Sequence, residues 1–323
     1  MEHAEAVRRP DPLPWTLRTV PSFTRRDADR SGVHWRRLAG SDLERPFHGV
    51  RRHATPAETT TRALAQAYAK RMPHRQVFSH ETAAVLWGMP LPAHAADPAA
   101  PLHVSVPEGS APPAARGVRG HVLRFDRIGV VEHGGLRMVD AATAWVQHGA
   151  RLGLDDLVAA ADYLLTGTEP YDGRRPLCRH DELEAAIARH RGCRGAASLR
   201  RALELARWGP LSRRETLLRL DLVRHRLPEP VPNHRVVASD GSLVAMVDLA
   251  YPEYLVGLEY QSDLHRPPAQ WRRDLRRLER LVDVGWSIVQ ATSDDVTTDV
   301  HPRGSAELAE RVRGRLRARG WVG

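Results

Sequence analysis

Hydrophobic positions along the chain change period several times, and the changes mark the elements. Leu243 to Leu249 and Leu255 to Tyr260 are apolar runs of strand length, and Tyr251-Pro252-Glu253 between them supplies turn chemistry. The spacing predicts an antiparallel hairpin closed around Glu253 and Tyr254, which sets Asp248 opposite Glu259 and puts Gln261 on the face of Glu259. Before the hairpin, Ser212-Arg213-Arg214-Glu215 has the spacing of a capping box at a helix start. His234 to Ala238 reads as a strand and Ser239-Asp240-Gly241-Ser242 as its turn. After the hairpin, Trp271, Leu275, Leu278 and Val282 form a helical stripe over Pro268 to Val284, expected to pack on the sheet. Gly285 stops that helix, Trp286 to Thr292 reads as a further strand, and Ser305 to Arg319 as a last helix.

Toward the N-terminus the pattern is less regular. Residues 1 to 21 hold Pro10, Pro12, Pro14 and Pro21 and predict an irregular arm. Ser22 to Gly32 reads as a capped short helix, Val33 to Ala39 as a second, and Pro46 to Arg52 as a strand-like wing. That order is a winged helix-turn-helix pattern, in which Arg36, Arg37, Arg51 and Arg52 are candidate contacts to DNA phosphates. A small packing module with solvated arginines is the alternative. Ser79 reads as the N-cap of a helix that Gly88 and Pro90 stop, with His80 and Glu81 as a first-turn polar pair complementing the helix dipole. Leu102 to Val106 and Val118 to Phe125 read as strands, followed by helices over Asp140–Ala150, Leu154–Leu165, Asp181–His190 and Ala196–Trp208. Gly167 to Pro176 is a candidate linker, and Gly209-Pro210 a domain boundary.

Two carboxylates at the end of an apolar hairpin repel each other and are costly to desolvate, so something must compensate them. A hard divalent cation would do so, as would arginine pairing or solvent exposure. Composition narrows the partners. The chain has 323 residues, long enough for two or three domains, with a net charge of +9 and a pI near 10.4. The excess lies mainly between Met1 and Arg75, where 15 basic residues face 8 acidic ones. A polyanionic partner such as DNA fits that balance. No apolar run approaches the ~20 residues that span a bilayer, and the first residues lack a signal-peptide core, so a cytoplasmic protein is expected. Cys178 and Cys193 form no C-x-x-C pair, so neither a disulfide framework nor a zinc site is indicated, and both are expected as buried small hydrophobes.

The runs Glu215 to Leu220, Val247 to Pro252, Gly257 to His265, Trp271 to Leu278 and Gly285 to Gln290, taken in order, resemble the very-short-patch-repair-like endonuclease family of the PD-(D/E)XK restriction-endonuclease-like fold. The resemblance covers about a third of the chain. It implies a domain over 210–323 with a central mixed sheet flanked by helices, and Asp248 and Glu259 as ligands of Mg²⁺ or Mn²⁺. It also makes Glu215 the first acidic residue of the site. From position and chemistry, Gln261 is a candidate to orient a water and His265 to deprotonate it or stabilise the phosphate, with an exposed loop histidine as the alternative, and Arg272 and Arg273 are candidate DNA contacts. Two departures stand out: Glu259-Tyr260-Gln261-Ser262 replaces the family's E-Y-D-G, and the motif lysine is missing, since Lys70 is the only lysine in the chain. The Phe23 to Ala28 and Phe47 to Arg52 runs, with the Val77 to Pro90 segment, resemble AbiEi-type antitoxins, which are transcriptional regulators.

The expected architecture is thus an α/β (α+β) multidomain protein: an arm over 1–21, a winged-helix-like part over 22–75, an α+β and helical middle over 76–209, and the nuclease-like domain. The expected function is a metal-dependent DNA endonuclease or nicking enzyme. The alternatives are a non-catalytic DNA-binding regulator that retains the nuclease fold, and a structural interaction protein.

Overall fold

The computed structural model describes residues 10–54, 59–167, 175–261, 268–295 and 303–323. It is an α/β protein whose chain divides into two compact units, Met1–Ala150 with Ala185–Ala196, and Arg151–Glu184 with Ala197–Gly323. The second unit therefore begins well before the Gly209-Pro210 punctuation. Among the described residues, no helix is long and apolar enough to cross a membrane.

In the first unit, α1 (Trp15–Arg18), β1 (Ser22–Thr24), α2 (Arg25–Arg30), β2 (Leu43–Glu44) and β3 (Val50–His53) form a small module around Leu17, Phe23, Leu38 and Leu43. Its three strands pair antiparallel in the order β1-β3-β2. Thr24 and Asp27 close a full capping box on α2. The second helix expected over Val33–Ala39 is instead a five-residue 3₁₀ turn, Trp35–Ala39. The His34 ring caps Arg36 N there, and Arg37 pairs with Asp42.

The rest of the unit is α3 (Thr61–Ala69), β4 (Val77–Phe78), α4 (His80–Trp87), β5 (Leu102–Pro107), β6 (Val118–Leu123), β7 (Val130–His133), β8 (Leu136–Val139) and α5 (Ala141–Val146). The strands make one mixed sheet in the order β6-β5-β4-β8-β7, with β5 parallel to β6. Tyr68, Phe78, Leu86, Val104 and Met138 fill the core beneath it.

In the second unit, α6 (Leu154–Thr166), α7 (His180–Arg189) and α8 (Ala196–Leu205) precede α9 (Arg213–Arg224), β9 (Val231–Val237), β10 (Leu243–Tyr251), β11 (Val256–Tyr260), α10 (Pro268–Asp283), β12 (Ser287–Ala291) and α11 (Gly304–Ala318); α7 and the first residue of α8 straddle the division. The sheet order is β12-β11-β10-β9, antiparallel except for the parallel β11–β12 edge. Leu218, Leu222, Leu249, Leu258, Leu308 and Val312 pack α9 and α11 against the sheet. A second cluster joins Leu281 of α10 to Val236, Val247, Ala250 and Trp286. Beneath α9 lies a buried ion pair: Arg219 donates to Asp162 at 3.1 Å and to Glu229 at 2.6 Å, while Thr216 and the Arg207 amide also donate to Asp162.

The helix α10 does not present its expected stripe. Leu275 and Val282 face solvent, and the side chain of Trp271 lies outside the described residues. The inward positions are Asp274, Arg277, Leu278 and Leu281, an i, i+3, i+4, i+7 set turned by about one residue from the expected face. The reason is electrostatic as much as hydrophobic: in this rotation Arg277 reaches the buried Glu259.

Candidate functional site

The hairpin closes in the expected register. Leu249 pairs with Leu258 and Tyr251 with Val256, and the same register sets Asp248 opposite Glu259. The turn is a 3₁₀ segment, Pro252–Tyr254, followed by Leu255 in the left-handed region at φ 51°. Asp248 Oδ2 accepts the Tyr260 amide at 2.8 Å, and Glu259 is 1 % exposed.

Glu259 is compensated by arginine. Arg277 clasps it with both terminal nitrogens, Nη2 donating to Oε2 at 2.8 Å, and its Nη1 also donates to the Met246 carbonyl at 3.3 Å. In the sequence Arg277 is one of five arginines along α10, with nothing local to mark it. It brings a positive charge to the buried carboxylate. Arg214 adds a second cation nearby, its guanidinium 5.7 Å from the centre of the Tyr260 ring.

Glu215 combines two roles. Its amide donates to Ser212 Oγ at 3.2 Å, the first half of the capping box, but its carboxylate accepts from Leu211 N rather than from the cap residue. The same oxygen accepts Asn233 Nδ2 at 2.6 Å. Burial, reinforced by the charge of Asp248, holds Glu215 above the ordinary carboxylate range. Burial also raises Asp248, against the pull of the Tyr260 amide and Arg277. Glu259 is raised by burial and by Asp248 and Asp274, with Arg277 opposing. Four carboxylates thus influence one another around one clasping arginine, an excess of negative charge that favours a cation. Among the described residues, the oxygens of Glu215, Asp248 and Glu259 do not all come within 4.8 Å of one another.

Of the remaining expected residues, Gln261 lies just past β11, where its backbone N–H donates to the Ala291 carbonyl at 2.7 Å. His265 and Asp263 lie outside the described residues. Arg272 and Arg273 are exposed on α10. In the first unit, Arg37 is paired with Asp42, Arg52 with Glu44, and Arg36 lies over the Trp35 ring at 5.4 Å. Arg51 donates to the Leu38 and Val50 carbonyls and also lines a cavity of about 640 Å³ with Arg25, Arg45, Arg71 and Arg116. Among the described residues no carboxylate lines that cavity, and burial with the charges of Arg45 and Arg25 lowers the Arg51 pKa from its ordinary value. Crowded guanidinium groups of this kind suit an anion, and they come from well-separated parts of the chain.

The acids make a stability prediction with a definite sign. Burial raises Asp248 above its unfolded value, so between those two values the folded chain binds more protons and its stability falls as pH rises. Asp248→Asn removes that penalty and keeps an oxygen for the Tyr260 amide. Its urea midpoint should match the parent below the carboxylate range and equal or exceed it at neutral pH. Glu259→Gln breaks half of the Arg277 clasp and should instead lose about 1–2 kcal/mol, a modest figure because Arg277 can turn to solvent. A parallel loss in both variants at neutral pH would contradict the assigned repulsion.

Comparison with known proteins adds no function. No family model matches the chain, and no solved structure matches it. Two uncharacterized proteins of Mycobacterium tuberculosis, from two strains, are each 35 % identical over 136 residues, which is 42 % of this chain and 48 % of theirs. The chain spans about half the length of the curated relatives it matches.

Proposed function

We propose that the second unit is a metal-dependent DNA endonuclease or nicking module, with Mg²⁺ or Mn²⁺ held by Asp248 and Glu259. The observation that carries this reading is the opposition of those two carboxylates on the inner strands, with Glu215 and Asp274 adding negative charge around them. The α-β-β-β-α-β order and the mixed sheet agree with it. The hard oxygen donors fit such an ion once Arg277 releases Glu259. When bound, the ion supplies charge neutralisation at the phosphate and an activated water. Asp248 is kept in place by the Tyr260 amide, Glu215 by Leu211 and Asn233, and Arg277 is placed to pair with a phosphate oxygen when it leaves Glu259. The arginine-lined cavity of the first unit is the proposed phosphate contact.

One observation favours a second reading, a DNA-binding regulator without turnover: the Arg277 clasp already neutralises Glu259. Supercoiled plasmid incubated with the full chain separates the two. Relaxation or linearisation that needs Mg²⁺ or Mn²⁺ and stops with a chelator supports the nuclease. Retention of DNA in a gel shift with no cleavage in either metal supports the regulator, and neither result would leave only the fold. In both readings Arg45→Ala or Arg116→Ala should weaken DNA binding about equally across sequences and lower the slope of log affinity against log salt by about 1. An unchanged slope would remove the cavity from the DNA contact.

A further inference from the structure

The first unit brings together three histidines far apart in the sequence. His103 lies on β5 and His121 on the parallel strand β6, where Ser105 is in register with His121, so the two imidazoles are diagonal neighbours on one face of the sheet. His80 opens α4 directly after β4, and its ring stacks on that of His121 with centroids 4.1 Å apart. One ring nitrogen from each comes within 4.8 Å of the others, and His103 Nδ1 and His121 Nε2 are 3.1 Å apart. His103 is buried and the other two are half-buried.

The surroundings are arranged around these rings. Ser79, at the N-cap position of α4, makes no side-chain cap; its hydroxyl contacts Ser105 Oγ at 2.6 Å and His80 Nδ1 at 3.0 Å instead. Contact at Nδ1 directs His80 Nε2 to the remaining role, as an outer-shell partner does for a ligating imidazole. Glu81 Oε2 lies 2.8 Å from His103 Nδ1, bringing a carboxylate to the edge of the group. His80 also holds φ 49°, a left-handed conformation that costs energy for a residue with a side chain and is maintained where the surrounding structure fixes it. Glu81 keeps the first-turn position that complements the helix dipole, while the His80 ring is drawn into the histidine group.

From this geometry we infer a binding site for one divalent transition-metal ion of the zinc class, with His80, His103 and His121 as nitrogen ligands and Glu81 beside them. Three neutral imidazoles suit such an ion and suit Mg²⁺ poorly. In a tetrahedral site with metal–nitrogen bonds of about 2.0–2.1 Å, ligand nitrogens stand roughly 3.4 Å apart. The His103–His121 pair is already near that separation, and small side-chain rotation brings in His80. The fourth position is open to water or to the Glu81 carboxylate. This site is independent of the acids in the second unit and of the function proposed for them.

The test uses the full chain without an affinity tag, stripped by a chelator, dialysed and titrated calorimetrically with Zn²⁺, with Mg²⁺ as the control. One Zn²⁺ per chain is expected. His121→Asn should weaken it by about 100-fold or more, beyond the ~10–100-fold that follows loss of an outer-shell partner, and His94→Asn, an exposed histidine elsewhere, should not. Co²⁺ should give a visible absorption band that disappears in His121→Asn. His121 is half-buried, and circular dichroism confirms that the variant stays folded; if it does not, Glu81→Gln, which spares all three rings, must weaken the ion. Absence of Zn²⁺ binding by the parent chain, or binding equally tight in a folded His121→Asn, would overturn the site and leave a hydrogen-bonded histidine cluster.

Discussion

Arg219→Met should destabilise the second unit by about 3–5 kcal/mol, the largest stability effect expected of any single substitution described above. Arg219 and Asp162 are each 1 % exposed in their side chains, so the variant strands a buried carboxylate. Burial pushes Asp162 above the ordinary carboxylate range, and Arg219, the Arg207 amide and Thr216 are what oppose that push. Removing the guanidinium also takes the donor from the Leu205 carbonyl, while Glu229 keeps its pair with Arg207. The double variant Asp162→Leu with Arg219→Met should recover much of the loss, because replacing both partners by apolar groups removes the unpaired charge. Urea unfolding of the three chains checks this. A loss below about 1 kcal/mol in the single variant would mean that Asp162 is protonated and the pair is not ionic.

Asp248→Asn should lower metal-dependent cleavage by about 100-fold or more, since an ion at such a site supplies several kcal/mol of transition-state stabilisation and tenfold in rate corresponds to about 1.4 kcal/mol. Its fold should survive, for the reasons of repulsion and retained hydrogen bonding given above. Arg277→Ala separates the two readings of the clasp. As a phosphate-pairing group its loss slows cleavage while sparing metal binding. As a permanent neutraliser of Glu259 its loss strengthens metal binding, because Glu259 is then available to the ion. Single-turnover nicking rates and Mn²⁺ titrations of the same variants distinguish these outcomes.

What was legible in the sequence follows from how local the signal is. Asp248 and Glu259 could be set opposite each other because Pro252 and its neighbours fix where the hairpin turns, and alternation along the strands does the rest. Ser212 as an N-cap was legible for the same reason, since its partner is three residues away. The face of α10 was not. The apolar stripe through Leu275 and Val282 is a helical pattern, yet the position that decides the rotation is Arg277, whose partner Glu259 is 18 residues distant. Likewise, His80, His103 and His121 form no motif, because sheet pairing rather than spacing brings them together. The Gly209-Pro210 break is a local signal and does not show which helices pack together on either side of it. The buried contacts of Asp162 with Thr216 and Arg219 tie α6 to α9 across it.

The measurement that bears most directly on the proposed nuclease site is the Mn²⁺ stoichiometry of the full chain, read by calorimetry on the parent, Asp248→Asn and His121→Asn. The account predicts that a Mn²⁺ site present in the parent is lost in Asp248→Asn and kept in His121→Asn, which places the hard cation at the acids and not at the histidines. Mn²⁺ binding that Asp248→Asn leaves unchanged, or its absence from the parent at millimolar metal, would contradict the assignment of Asp248 and Glu259 as the cation site.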